Sequence, residues 1–177
     1  KNVGLENPKV TLTATTTSGS YGILVAMARS GNTISECFVK NGSITMTNML
    51  TGTVATRLGA ICASIGVSGS PTAIDKTTTV QNCYVDGLSI DYTFRNNAVF
   101  DCASSIGYVG NHKVSVSDCY AANVTFGDNM SFPTITKNLG MMFRPNLGSG
   151  TSTIENCYAQ TADSETGAYT FAMGTVW

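Results

Sequence analysis

Charge is scarce in this chain: only 12% of its 177 residues are Asp, Glu, Lys or Arg, and the net charge is −1. Without a basic stripe to neutralise phosphates, the chain is not expected to bind nucleic acid. No apolar run approaches 18 residues, so no membrane-spanning helix is predicted. The sequence also lacks a phosphate-binding loop, a dinucleotide fingerprint and a nucleophile elbow. These absences remove several large functional classes.

Close cysteine pairs are also missing. The chain has six cysteines but no Cys-x-x-Cys, the spacing that zinc sites normally use. The glycine-rich calcium nonapeptide is absent as well. We therefore expect no metal and no other cofactor. Proline is rare, with four residues, whereas Thr-rich and Val/Ile-rich segments alternate with Gly and Asn. Such a composition is typical of many short strands joined by tight turns.

One short phrase occurs four times. It reads small hydroxyl, β-branched residue, two polar residues, Cys, aromatic, then Val or Ala, as in Thr79-Val80-Gln81-Asn82-Cys83-Tyr84-Val85. The other copies are residues 33–39, 115–121 and 153–159. A motif that returns about every 40 residues is typical of a stacked repeat array.

Two further segments recur around this phrase. A Gly-rich apolar strand precedes it and an alternating strand follows it, so that each repeat is predicted to hold three strands. Stacking like strands from successive repeats buries a shared core. The sequence therefore predicts an all-β fold, a parallel β-solenoid of about four coils with three strands each, in which residues 1–177 form a single domain.

The alternating strand after the phrase has the period of a half-buried strand. Its apolar residues are predicted to point inward: Val10, Leu12, Ile44, Met46, Ile90, Tyr92, Val124 and Phe126. Its threonines are predicted to form two outward columns: Thr11, Thr45 and Thr125 in one, and Thr13, Thr47 and Thr93 in the other.

The Cys phrase itself breaks strict alternation, so we expect a bend within it. Asn and Asp tolerate left-handed backbone and suit corners. The predicted corner column is Glu36, Asn82, Asp118 and Asn156. The predicted core column of small buried thiols is Cys37, Cys83, Cys119 and Cys157. Side chains stacked in parallel point the same way, which is poor geometry for disulfides. The opposite assignment, with the aromatic residues inside, stays open.

Copies such as Thr79–Val85 and Thr153–Ala159, with a Gly-apolar strand upstream, resemble the GLUG-type repeats of bacterial secreted and surface proteins. They are also similar to the β-helical modules of large exported proteins of Bacteroidetes. The resemblance covers roughly residues 20–174. It implies an extracellular or cell-surface location and an adhesive context, and it supplies no catalytic residues.

The aromatic residues of the phrase are the candidate ligand-binding residues: Phe38, Tyr84, Tyr120 and Tyr158. Pointing outward, they would offer ring faces to sugars, although aromatic stacking that fixes register explains them equally. No position repeats a carboxylate in adjacent repeats, so no catalytic residues are predicted. The favoured function is a non-catalytic surface or adhesion module. The alternative is a carbohydrate-binding or polysaccharide-processing β-helix.

The expected partners are glycans or host surface proteins, together with other domains of the same protein. The segment Ala168–Trp177 is apolar and aromatic and is expected to dock on such a domain. The chain is therefore expected to be a piece of a longer exported protein.

Overall fold

The fold was analysed in a computed structural model of the chain. The structure describes residues 1–14, 18–48, 55–67, 76–94, 102–110, 113–127, 139–140, 142–145 and 152–161. The expectation for Ala168–Trp177 lies outside these residues. Among the described residues, no helix is long and apolar enough to cross a membrane.

Every pair of neighbouring strands in the described chain runs parallel, which confirms the all-β class and the parallel pairing. The strands fall into five ladders, in which each strand pairs with its counterpart from the next repeat. Ladder 1 contains β1 (Gly4–Glu6), β6 (Phe38–Lys40), β11 (Tyr84–Asp86), β16 (Tyr120–Phe126) and β20 (Tyr158–Thr161). Ladder 2 contains β2 (Lys9–Ala14), β7 (Ser43–Asn48), β12 (Ser89–Phe94) and the end of β16.

The other three ladders form separate four-stranded sheets. Ladder 3 contains β3 (Ser18–Gly22), β8 (Ala55–Gly59), β13 (Cys102–Ser104) and β17 (Leu139–Gly140). Ladder 4 contains β4 (Val25–Arg29), β9 (Cys62–Val67), β14 (Gly107–Val109) and β18 (Phe143–Pro145). Ladder 5 contains β5 (Thr33–Ser35), β10 (Thr78–Gln81), β15 (Val114–Ser117) and β19 (Ser152–Glu155). The long strand β16 joins ladders 1 and 2 into one eight-stranded sheet.

The prediction of three strands per repeat was wrong, because each repeat contributes five. The Cys phrase is divided between ladders 5 and 1 by its corner residue. The Gly-apolar segment is divided between ladders 3 and 4 by a bend at Ile23 and Leu24, and by its counterpart at Ala60 and Ile61. A Cβ on Gly22 would lie 1.9 Å from the carbonyl oxygen of Val25, so this sharp bend requires glycine.

The core is built from buried apolar side chains that all five ladders contribute. Its largest completely buried side chains are Tyr92, Ile44, Met46, Leu58, Ile61, Ile65, Leu88, Ile90, Ile106 and Val39. The burial of apolar surface stabilises the fold by about 25 cal/mol per Å² removed from water. The buried side chains of all five ladders belong to one hydrophobic cluster.

Ladder 2 follows the alternation read from the sequence, with one correction in register. Ile44, Met46, Ile90 and Tyr92 are buried, and Val10 and Leu12 at the first repeat are partly buried. In β16, however, Phe126 pairs with Ile90, and Thr125 pairs with Ser89. The predicted column of Thr11, Thr45 and Thr125 is therefore wrong, because Thr45 pairs with Asp91 and β16 reaches ladder 2 two residues later than expected.

Candidate functional site

The corner residues of the Cys phrase all adopt left-handed backbone. Their φ angles are 58° at Glu36, 52° at Asn82, 53° at Asp118 and 51° at Asn156. All four side chains are exposed. Each of the first three donates its backbone N–H to the following repeat, as Asn82 does to the Ser117 carbonyl at 3.1 Å. The corner thus turns the chain from ladder 5 into ladder 1 without loss of inter-repeat pairing.

The cysteine after each corner turns its thiol inward. Cys37, Cys83 and Cys119 are buried, whereas Cys157 in the last described repeat is partly buried. Each thiol donates to the carbonyl two residues earlier, across the left-handed corner, as Cys83 does to Gln81 at 3.2 Å. All four are free thiols. A small side chain with a weak S–H donor suits this position, because it fills the core and satisfies a local carbonyl.

Burial shapes the acidity of these thiols. The hydrogen bond to Cys83 and the burial of the site together raise the pKa of Cys119. Desolvation also raises the pKa of Cys157. Cys62, which lies in ladder 4 outside the repeated phrase, has its pKa raised to about 11 by burial. The pKa of Cys83, in contrast, is lowered to about 7, chiefly by its side-chain hydrogen bond with Cys119. The raised pKa values keep the thiols of Cys62, Cys119 and Cys157 protonated at neutral pH, and a protonated thiol is a poor nucleophile and a poor metal ligand.

The aromatic residues of the phrase point outward, and Phe38, Tyr84 and Tyr120 stack on one another. The ring centroids of Phe38 and Tyr84 are 5.0 Å apart, with an interplanar angle of 7°. Those of Tyr84 and Tyr120 are 4.8 Å apart, with an angle of 3°. Each stacked face is covered by its neighbour, so Tyr84 presents its edge and hydroxyl to solvent. Tyr120 and Tyr158 are the more open members, at 39% and 56% exposure.

A second left-handed column, which the sequence analysis missed, lies at the other end of the ladder 1 strands. It contains Asn7 (φ 53°), Asn41 (50°), Gly87 (72°) and Asn123 (53°). Here too the backbone N–H donates to the next repeat, from Asn41 to Asp86 at 2.7 Å. The signal was the recurrence of Asn or Gly five residues after Glu36, Asn82 and Asp118. The two corners bound β6 and β11 as strands of three residues each, whereas β16 continues through Asn123 into ladder 2.

Side-chain bonds between repeats add to these corners. Asn123 donates its amide N–H to the Asp86 carboxylate at 2.7 Å, and Asn156 donates to Asp118 at 3.2 Å. Both carboxylates are therefore engaged by amides at the surface. Across the described ranges, no group of three or more His, Cys, Asp or Glu side chains is arranged to hold a metal ion.

A further cluster lies where ladders 3 and 4 meet. Ser20 and Ser64 share a hydrogen bond of 2.8 Å between their hydroxyls. The guanidinium of Arg57 lies 4.4 Å from the ring centroid of Tyr108, a cation–π contact. Tyr108 and Ser64 are buried. The cluster joins two ladders with polar contacts, and its residues are not repeated in the sequence, so no motif indicated it.

The comparisons identify no relative. No protein-family model, curated protein or solved structure matches the chain.

Proposed function

We propose that the five ladders are the walls of a β-solenoid, in which each repeat is one coil wound on the last. The supporting observation is the register. In every ladder, residues one repeat apart are direct partners, as Val80 is to both Ile34 and Val116. Coils of this kind depend on their neighbours for a shared core, which gives a stiff module with a chemically repetitive surface.

We propose further that this module serves as a non-catalytic surface or adhesion element of an exported bacterial protein. The resemblance to GLUG-type repeats favours that context. The outward positions favour it too, since they carry corner amides, threonines and aromatic edges. A glycosidase requires a pair of carboxylates that flank the bond to be cleaved. The carboxylates of Asp86 and Asp118 instead accept amide hydrogen bonds from Asn123 and Asn156.

Adhesion can be measured with beads that carry the purified chain. We expect such beads to be retained under flow on host epithelial cells or mucin. A matched control carries Val39→Asp and Val85→Asp, which place two charges in the core where both side chains are 0% exposed. Beads with the unfolded control should wash off. Equal retention of the two kinds of bead, at the level of bare beads, would rule out the adhesive role.

The second candidate function is carbohydrate binding, favoured by the exposure of Tyr120 and Tyr158. Because neighbouring rings lie about one rung apart, a sugar has no room between Phe38 and Tyr84 or between Tyr84 and Tyr120. A sugar would have to use the hydroxyl edges or the open end of the column.

A glycan array tests this candidate directly. Binding that Tyr120→Ala and Tyr158→Ala abolish, and that Thr45→Ala leaves unchanged, would establish the sugar-binding role. Thr45 is a suitable control because it is exposed on ladder 2, away from the aromatic column. If the chain gave no signal on all of the glycans in the array, the sugar-binding role would be ruled out.

A further inference from the structure

Two cysteines of the core column lie opposite each other on neighbouring strands. The residues that follow them, Tyr84 and Tyr120, are direct partners in ladder 1, so Cys83 lies one rung from Cys119. Both side chains are buried, at 1% and 2% exposure. Neighbouring strands lie about 4.8 Å apart. This spacing falls within the range of Cα separations, about 4.4–6.8 Å, that disulfides bridge.

The thiol of Cys119 is directed toward the repeat that holds Cys83. Its Sγ lies 3.1 Å from the carbonyl oxygen of Ser117 in its own repeat, and 3.9 Å from the carbonyl oxygen of Val80 in the preceding one. It also shares a hydrogen bond with the thiol of Cys83. The two sulfur atoms are therefore within hydrogen-bond reach of each other, although the side chains stack in parallel.

The hydrogen bond between the two thiols gives them different acidities. It lowers the pKa of Cys83 to about 7 and raises the pKa of Cys119. At neutral pH a large fraction of Cys83 is therefore thiolate, the form that reacts with oxidants, whereas Cys119 keeps its proton. The contact with Cys119 has a larger effect on the acidity of Cys83 than the contact with Cys37. Cys119 is therefore the favoured partner.

We propose that Cys83 and Cys119 are a redox-active pair, which hydrogen peroxide converts into a disulfide between neighbouring repeats. The Cys83 thiolate attacks one oxygen of the peroxide, the O–O bond breaks, and hydroxide leaves, so that Cys83 becomes a sulfenic acid. The hydroxide takes up the proton that Cys83 had released. The sulfur of Cys119 then attacks the sulfur of Cys83, its proton passes to the departing hydroxyl group, and water leaves. Two thiols are thus oxidised by two electrons, and one peroxide is reduced to two waters.

The backbone on both sides of the pair limits how far the two cysteines can move. Tyr120 donates its N–H to the Cys83 carbonyl at 3.1 Å, and Asn82 donates its N–H to the Ser117 carbonyl at 3.1 Å. These bonds hold the two strands at the rung spacing, near the short end of the range that disulfides bridge. A disulfide held away from its preferred geometry is easier to reduce. A thiol reductant should therefore reopen the bridge.

Burial of the pair controls how fast peroxide reaches it. Because Cys83 is 1% exposed, its sulfur meets peroxide only when the corner at the exposed Asn82 opens locally. Oxidation of the folded chain should therefore be slower than oxidation of the chain unfolded in urea, whereas its choice of partner should be more selective. The proposal concerns the core and does not depend on whether the outer surface binds cells or sugars.

Peptide mapping tests the proposal on the whole chain. Each of the six cysteines falls in a different tryptic peptide, because a Lys or Arg separates every consecutive pair. The chain is treated with hydrogen peroxide at neutral pH, the remaining thiols are blocked with N-ethylmaleimide, and the tryptic peptides are analysed by mass spectrometry. We expect residues 77–95 and 114–137 to appear as one linked species, lighter by two hydrogen atoms than the two peptides together. Dithiothreitol should separate them.

Two serine variants test the roles of the two thiols, since serine keeps a hydrogen-bond donor but forms no disulfide. With dimedone present, the sulfenic acid in Cys119→Ser should be trapped on residues 77–95. In Cys83→Ser, residues 114–137 should stay unlabelled, because Cys119 keeps its proton. The matched control is Cys62→Ala, which removes a buried thiol outside the column and should form the link as the parent chain does. Circular dichroism checks the fold of each variant. If a serine variant does not fold, the parent chain and Cys62→Ala still decide the pairing.

Three results would overturn the proposal. All thiols of the folded chain could still react with N-ethylmaleimide after peroxide treatment. Residues 30–40, which contain Cys37, could replace residues 114–137 as the main partner of residues 77–95. The link between residues 77–95 and 114–137 could form in the same share of the product in urea, where the register of the strands is lost.

Discussion

Replacing Glu36 with Asn should stabilise the protein. Glu36 is the one member of its corner column that is neither Asn nor Asp, yet its φ of 58° is the same left-handed value that its neighbours adopt. The left-handed conformation costs an ordinary L-residue about 1–2 kcal/mol, whereas Asn adopts it readily because its short side chain bonds locally. Glu36 is exposed, so the substitution removes no core packing.

The expected gain follows from these terms. Glu36→Asn should raise the free energy of unfolding by roughly 1 kcal/mol, which for a chain of this size corresponds to about 2–4 °C in Tm. Glu36→Gly should give a smaller gain, because glycine also adds about 0.5–1 kcal/mol of conformational entropy to the unfolded chain.

Urea unfolding followed by circular dichroism measures the change. Lys40→Asn is the matched control, since Lys40 is exposed in the neighbouring strand β6 with extended backbone. Asn is a poor strand residue, so this control should lower stability by a few tenths of a kcal/mol. A loss of stability in Glu36→Asn, equal to that of the control, would refute the reasoning that the corner column is held in left-handed backbone.

Three further predictions concern the core, the aromatic column and the thiols. Ile61→Ala should destabilise the protein by about 2–5 kcal/mol in urea unfolding, because Ile61 is completely buried and the substitution leaves a cavity; a change below 1 kcal/mol would contradict this. Tyr84→Ala removes two stacked pairs and should cost about 1–3 kcal/mol beyond lost burial, whereas no cost would mean that the stacking is incidental. The raised pKa of Cys62 means that the folded state keeps its thiol proton where the unfolded chain loses it. Stability should therefore be complete below pH 9 and fall between pH 9 and about 11 by roughly 2–3 kcal/mol; Cys62→Ala should flatten this dependence, and an unchanged pH profile in that variant would assign the loss to other groups.

Much of ladder 2 and of the Cys phrase could be predicted from the sequence, because side-chain alternation and corner chemistry are local. Ile90 and Tyr92 alternate with polar residues, and their burial follows from a period of two. The bend at Asn82 could be predicted because two polar residues separate Val80 from Cys83, which interrupts the period of two.

Other features depend on contacts that a single repeat does not reveal. A run such as Gly22-Ile23-Leu24-Val25 has no alternation, so nothing local separates one strand from two. The bend becomes visible only through the close approach of Gly22 to the Val25 carbonyl. The register of Thr125 was misread for a related reason. Among the described strands, β16 alone serves ladders 1 and 2 in succession, and Val124 is consequently displaced from the ladder 2 column.

The outward position of the aromatic residues was also undetermined by the sequence, since Cys and Tyr are adjacent and either could face the core. Packing decides it. Cys83 fills a narrow site at the corner, where its thiol also reaches the Gln81 carbonyl. The ring of Tyr84 instead finds stacking partners at the rung spacing on the surface.

The central claim is that residues one repeat apart are direct neighbours, and nuclear Overhauser contacts in the isotope-labelled chain test it most directly. The account predicts contacts from the methyl groups of Val80 to those of both Ile34 and Val116, and from the ring of Tyr84 to that of Phe38. Contacts of Val80 confined to residues nearby in sequence, as in a β-hairpin, would contradict it.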